Sequence, residues 1–292
     1  MTGFSCPFVE FSFGASVPTP AWGCGMSTVF EAVQAINPLY VGSGFFVGGL
    51  VGFTGVGGGS LMTPLLMLVF GVAPATAVGT DLLYAAITKS NGTLIHALNG
   101  TIDWKITRRL AYGSVPATLA TLLSLSWLGK SGSHAASGLI TSTLGFALLL
   151  TAVAILFRRW LLDHIARHTE RMSDRRIGAL TIVLGAFIGV LVSISSVGAG
   201  AIGMTVLMAL YSHTRTVRLV GSDIAHAVPL TFVAGFGHWM MGGVDWQLLV
   251  SLLIGSIPGI AIGSHLAARV PDRYLRPALA AMMAVVGAKL SL

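Results

Sequence analysis

Ten apolar runs separated by short polar stretches govern what this chain can become. They fall at about 39–56, 58–71, 76–98, 106–128, 135–157, 178–197, 199–212, 217–240, 246–268 and 276–292. A helix needs roughly 20 apolar residues to cross hydrocarbon. The runs 58–71 and 199–212 are too short for that, and each follows a glycine cluster, so both read as half-helices. Of 292 residues, 54% are hydrophobic and 9% charged, a surface that no water-soluble domain of this size tolerates. The expectation is an all-α polytopic membrane protein.

The net charge of +7 does not point to nucleic acid, because the basic residues are scattered through short loops and gathered on no single module. They read better as insertion signals. Crossings counted from an outside N-terminus put four basic loops on one side: 99–109 (Lys105, Arg108, Arg109), 158–177 (six arginines), 213–218 (Arg215, Arg218) and 269–276 (Arg269, Arg273, Arg276). Loops 72–76, 129–134 and 241–245 carry one lysine between them. That asymmetry places the basic loops in the cytoplasm and the N-terminus outside. Cys6 and Cys24 both precede the first long run, which excludes a thiolate site within the bilayer and leaves a Cys6–Cys24 disulfide open. The N-terminal stretch lacks the layout of a cleaved leader and is read as retained, with a surface helix near Thr28 to Ile36.

The chain also repeats. An offset of 142 lays Gly79-Thr80-Asp81 on Gly221-Ser222-Asp223, His96 on His238, Asp103-Trp104 on Asp245-Trp246, and Gly113-Ser114-Val115-Pro116 on Gly255-Ser256-Ile257-Pro258. One residue less brings "VGGG" at 56–59 onto "VGAG" at 197–200. Four matches in one register indicate duplication. Each copy holds five segments, an odd number, so the second should lie upside down relative to the first. The expected layout is an N-terminal extracytoplasmic segment 1–38, a first repeat 39–157, a basic linker 158–177 and a second repeat 178–292.

A backbone break in hydrocarbon is tolerable only when enclosed by protein or lining a polar cavity. Behind the breaks, Ser60 to Thr63 and Ala201 to Thr205 begin half-helices whose free N–H groups and positive dipole ends attract anions. The expected binding positions are Gly57, Gly58, Gly59, Ser60 and Thr63 in the first copy, with Gly198, Ala199, Gly200 and Thr205 in the second. Close helix packing is the alternative use of such glycines.

The stretch "GLVGFTGVGGGSLMTPLLMLVFGVAPATAVGTDLL" at 49–83 resembles the signature of the TauE/SafE family, the sulfite exporter family. "SSVGAGAIGMTVLMALYSHTRTVRLVGSD" in the second copy is similar, and the likeness runs from about residue 40 to the C-terminus. The resemblance implies export of a small sulfur-containing anion, such as sulfite or an organosulfonate like sulfoacetate, across a bacterial inner membrane. The second copy departs from the first in Ala199 and in lacking a proline to match Pro64, so the half-sites are expected to be inequivalent.

Few charges lie inside the runs. Lys89 is a counter-charge candidate that an ion pair with Asp81 or snorkelling would equally explain, and Asn91 is a further donor candidate. Asp81 and Asp223 pose a problem of sign beside an anion. The simpler reading has them satisfy free amides near their own helix starts; the sharper one makes them coupling groups, with His226. His96, His238 and His265 fall nearer the membrane faces. The histidines are too dispersed for a metal site, and no cofactor is expected. Ser114, Pro116, Ser256 and Pro258 mark two mid-helix kinks read as hinges. No GxSxG, HExxH or comparable motif supports an enzyme. The expected partners are the anion substrate, the bilayer and, as an open option, a second copy of the chain. An anion channel, or a cation- or metal-coupled transporter centred on Asp81 and Asp223, stands as the alternative to an alternating-access exporter.

Overall fold

The computed structural model describes residues 38–54, 59–131, 133–157, 162, 172–198, 200–267 and 272–291. The expected N-terminal surface helix, both cysteines, Gly57, Gly58, Ala199 and most of the basic linker lie outside them. Among the described residues every regular element is a helix: α1 (Pro38–Thr54), α2 (Gly59–Leu68), α3 (Pro74–Leu98), α4 (Trp104–Ser131), α5 (Ser133–Leu156), α6 (Asp174–Ser195), α7 (Ala201–Leu210), α8 (Thr216–Met240), α9 (Trp246–Ala267) and α10 (Asp272–Ser291). By length and composition, Gly138–Leu156, α6 and α8 are each sufficient to cross a membrane. The two segments expected to be short are 10 residues each, α2 and α7, or about 15 Å at the α-helical rise, half the hydrocarbon thickness.

Local chemistry sets the boundaries. Pro74 opens α3, where its missing N–H costs nothing. Gly71, Gly100 and Gly242 take positive φ in the turns after α2, α3 and α8, positions where a side chain would be strained. Pro116 and Pro258 lie inside α4 and α9, which continue through them. Apolar side chains such as Phe146, Val183, Phe232 and Val285 are exposed on the outside of the bundle, the arrangement that lipid contact requires. Trp104, Trp127, Trp239 and Trp246 are exposed towards helix ends, as interfacial tryptophans are.

The helices pair across the chain. α1 packs along α9, α4 along α6, α3 along α8, and α5 along α10. The tightest seams are glycine-lined. A Cβ on Gly113 of α4 would run into the Ile182 carbonyl and Ala186 amide of α6, and one on Gly255 of α9 into the Val41 carbonyl and Phe45 amide of α1. Gly185 on α6 meets the backbone of Leu110, as Gly44 on α1 meets that of Leu252. Such spacing lets backbones approach where no hydrophobic drive separates helix from lipid. Polar contacts recur in pairs as well. The Asp103 amide donates to Ser222 Oγ (2.8 Å), and the Asp245 amide to Thr80 Oγ1 (3.1 Å).

These seams yield a direct test. Gly113→Ala forces a methyl against α6 backbone that cannot rotate away, so thermal unfolding in detergent should shift downward by the equivalent of about 1–3 kcal/mol. Gly42→Ala, whose Cβ would meet nothing within 4 Å, should stay within about 0.5 kcal/mol of the parent. Equal melting of the two variants would contradict the closeness of the α4–α6 seam.

Candidate functional site

The chain leaves helical geometry just ahead of α7. Ser195 ends α6, and Ser196 follows with φ 58°, the one described non-glycine residue at positive φ; Gly198 has φ 105°. The local amides are largely engaged within the chain. Ser196 N–H donates to the Val192 carbonyl (2.7 Å), Val197 N–H to Ser195 Oγ (3.3 Å), Ile202 N–H to the Gly198 carbonyl (3.2 Å) and Met204 N–H to the Gly200 carbonyl (3.2 Å). Thr205 turns its hydroxyl back to the Ala201 carbonyl. At the first break, Gly59 begins α2 and Thr63 follows within its second turn, fully buried.

Asp81 and Asp223 do not cap their own helices, because each lies two turns inside, in α3 and in α8. The reading of both as local caps is corrected on that ground: amides at those depths already have partners in the i−4 carbonyls. Each carboxylate instead stands against the half-helix of its own copy. Asp81 Oδ2 accepts the Thr63 hydroxyl of α2. Asp223 Oδ1 lies 3.2 Å from the place a Cβ on Gly203 of α7 would take. Both aspartates are buried, and Asp81 is fully so.

Asp81 also faces Ser196, which brings it to the edge of the second break. Yet Asp81 Oδ1 and Ser196 Oγ have no hydrogen-bond partner among the described residues, and neither do Asp223 Oδ1, Tyr84 Oη and His226 Nδ1. Buried polar atoms without partners are costly and rare; here Asp81 and Tyr84 lie one turn apart on α3, Asp223 and His226 one turn apart on α8, Ser196 stands at the α6–α7 break, and Thr93 Oγ1 lies farther along α3. Lys89, partly buried on α3, acts electrostatically on Asp223 first and on Asp81 second. It closes an ion pair with neither; the ion pairs among the described residues join Asp174 to Lys105 and to Arg109.

His226 is fully buried with Nε2 2.8 Å from Ser114 Oγ, so Ser114 is a helix-to-helix partner of α8. The equivalent place in the first copy holds Tyr84, beside Ser256, while Ser256 Oγ donates to the Leu253 carbonyl (3.3 Å). Asn91 is exposed on α3 and stands apart from this cluster. His238, in the last turn of α8, is buried with Nε2 2.8 Å from the Ser193 carbonyl of α6. His96 pairs locally with Thr101 (2.8 Å). The side chains of Ser60 and His265 lie outside the described ones.

Sequence reasoning missed Tyr84 and Ser196. Tyr84 was legible through its offset of 142 from His226, two polar residues at one position of the repeat. Ser196 carried no composition signal, since a serine at a helix end is ordinary until its left-handed backbone is seen.

The Thr63–Asp81 contact predicts its own deletion phenotype. Thr63→Val keeps the shape and removes the donor from a buried carboxylate, so stability in detergent should fall by about 1–3 kcal/mol, whereas Thr63→Ser should lie closer to the parent. Indistinguishable melting of Thr63→Val and parent would show that the contact does not hold Asp81.

The family profile described as "Sulfite exporter TauE/SafE" matches residues 40–290. The chain is 40% identical over 249 residues to the "Probable membrane transporter protein YjnA" of Bacillus subtilis (strain 168), covering 85% of this chain and 96% of that one. It is 28% identical over 247 residues to the "Probable membrane transporter protein YdhB" of the same organism, covering 83% and 95%. It is 26% identical over 268 residues to the "Probable membrane transporter protein MJ0441" of Methanocaldococcus jannaschii, covering 86% and 93%. No solved structure matches. With ten helices among the described residues and a family match across nearly all of them, the chain is a multi-pass membrane protein of the TauE/SafE sulfite exporter family.

Proposed function

We propose that this protein exports a small sulfur-containing oxyanion, sulfite or an organosulfonate such as sulfoacetate, across the inner membrane by alternating access. The observation that carries the reading is the set of buried, unpartnered polar groups that includes Asp81 and Asp223, the carboxylates standing against the two half-helices, with Lys89 in electrostatic range of both. A polar junction enclosed by apolar helices is where a carrier holds its cargo. Lys89 supplies the positive charge, and the first turns of α2 and α7 supply electropositive helix ends.

The two copies, 39–157 and 178–292, are read as inverted. Reciprocal seams support this: α1 with α9 repeats α4 with α6, and the Asp103–Ser222 bond repeats as Asp245–Thr80. Rocking of one copy against the other then exposes the junction to each side in turn. The basic loops face the cytoplasm and the N-terminus lies outside.

The cluster imposes a condition on this transport. Asp81 and Asp223 already occupy the half-helix ends, so an oxyanion arriving there meets two carboxylates and one ammonium. It can be held only if the carboxylates are offset by positive charge brought in with it or exchanged for it. The carrier is therefore a coupled one.

Reconstituted protein should give saturable flux of sulfite or sulfoacetate in proteoliposomes. Lys89→Ala should lower that flux tenfold or more, with Lys89→Arg retaining a larger share because the charge remains. Flux that rises without saturation would replace the carrier with a channel. Absence of flux for every sulfur oxyanion tried, from protein with a parental melting profile, would overturn the substrate class.

A further inference from the structure

We propose that Asp81, Ser196 and Thr63 form a site for a single dehydrated alkali-metal cation, sodium by size, seated between α3, the first half-helix and the backbone break that precedes the second.

The ligand chemistry is hard oxygen throughout. Asp81 is fully buried, and Ser196 is 7% exposed. Ser196 lies beside Asp81, and Asp81 Oδ1 and Ser196 Oγ are both without a hydrogen-bond partner among the described residues. Two buried oxygens that each lack a partner are costly by themselves, and a small cation between them would satisfy both. Thr63 adds a third oxygen from α2, its proton donated to the other carboxylate atom, Oδ2. The backbone contributes too. Ser196 at φ 58° and Gly198 at φ 105° take the chain out of the helical ladder, and carbonyls in such unwound segments are the usual cation ligands of carriers built on broken helices. Carboxylate, hydroxyl and carbonyl ligands suit alkali and alkaline-earth ions; among the described residues there is no thiolate and no group of three His, Cys, Asp or Glu side chains able to hold a transition metal, and the nearby His226 gives its Nε2 to Ser114.

Charge selects the valence. The groups in mutual electrostatic reach are Asp81, Asp223 and Lys89, and His226 turns its Nε2 to Ser114. With both carboxylates ionised and Lys89 protonated, this buried set carries one net negative charge. One monovalent cation cancels it, whereas a divalent ion would leave an uncompensated positive charge in the same apolar surroundings. Lys89 serves Asp223 before Asp81, which leaves Asp81 as the carboxylate in need of a counter-ion. The sequence accounts for there being one such site. At the repeat position of Ser196 the first copy has Gly55, so Asp223 has no matching hydroxyl to share an ion with.

The inference uses the junction of the proposed carrier but not the identity of its cargo. Sodium binding without sulfur-anion flux would preserve the site and discard the substrate; anion flux indifferent to sodium would do the reverse. The experiment is a melting curve of the full-length protein in detergent at fixed pH and ionic strength, with sodium chloride replaced stepwise by choline chloride, alongside equilibrium binding of radioactive sodium. Sodium should raise the melting temperature saturably and bind at one ion per chain. Ser196→Gly is the decisive variant, because it removes the hydroxyl while relieving the left-handed backbone. It should melt at or above the parent in choline, yet need at least about tenfold more sodium for half-saturation. Asp81→Asn should abolish the sodium response. The proposal is overturned if sodium and choline act alike, if magnesium or calcium alone stabilises, if the melting point follows pH and ignores sodium, or if Ser196→Gly keeps the parental sodium affinity.

Discussion

A peptide group in hydrocarbon must find its partner inside the protein, and the architecture answers to that demand. Two helices of ten residues cannot satisfy it alone, because each is about half as long as the hydrocarbon is thick. They are tolerated because longer helices enclose them. α2 rests on α3 through Thr63 and Asp81, while α7 is packed by α5, α6 and α8. Enclosure of this kind needs near-contact between backbones, and the glycines of α1, α4, α6 and α9 allow the outer helices to close. The breaks and the glycine seams are thus one solution: the first creates buried polar ends, and the second shuts lipid away from them.

The same geometry changes what the half-helix ends mean. A helix N-terminus attracts negative charge, and a sequence with two such ends facing each other suggests two binding sites for an external anion. In the folded chain the first negative groups at these ends belong to the protein, Asp81 at α2 and Asp223 at α7. Their positions two turns into α3 and α8 bring them there. The junction consequently already holds two carboxylates and a nearby ammonium of the protein's own, so the half-helix ends do not stand open to an external anion alone.

Much of the fold was legible. Apolar run lengths placed all ten helices within a few residues, since hydrocarbon thickness sets helix length, and glycine clusters at 57–59 and 198–200 marked the short ones. Gly79, Gly113 and their counterparts at 221 and 255 announced the repeat, and the structure uses them at backbone contacts. The site was less legible because it depends on how helices rotate against each other. Asp81 looked like a local cap, as any acid near a helix start does, until α2 was seen alongside it. Asn91 and Lys89 lie two residues apart in sequence, yet one is exposed and the other reaches the cluster. A 100° step per residue separates lipid from core, and hydropathy alone does not resolve it.

Divergence between the copies bears on direction. If the halves are inverted equivalents, identical halves would make the two exposed states equal in energy, and any preference must come from positions where they differ. One end of the bundle carries a polar lock: Arg109 donates to Asp174 Oδ2 (2.8 Å) and to Tyr211 Oη (3.2 Å), and Tyr211 Oη lies 2.9 Å from Thr181 Oγ1. At the repeat position of Thr181 stands Tyr40, whose ring meets Phe70 edge to face with centroids 5.1 Å apart, while Val69 takes the place of Tyr211 and Ser251 that of Arg109. A charged, hydrogen-bonded closure and an aromatic one respond differently to water entering between them, because only the first can exchange its partners for solvent without losing hydrogen bonds. Opening at the polar end would therefore cost less in water than opening at the aromatic one. In an inverted pair of repeats, that inequality is a physical source of preferred orientation that requires no further domain.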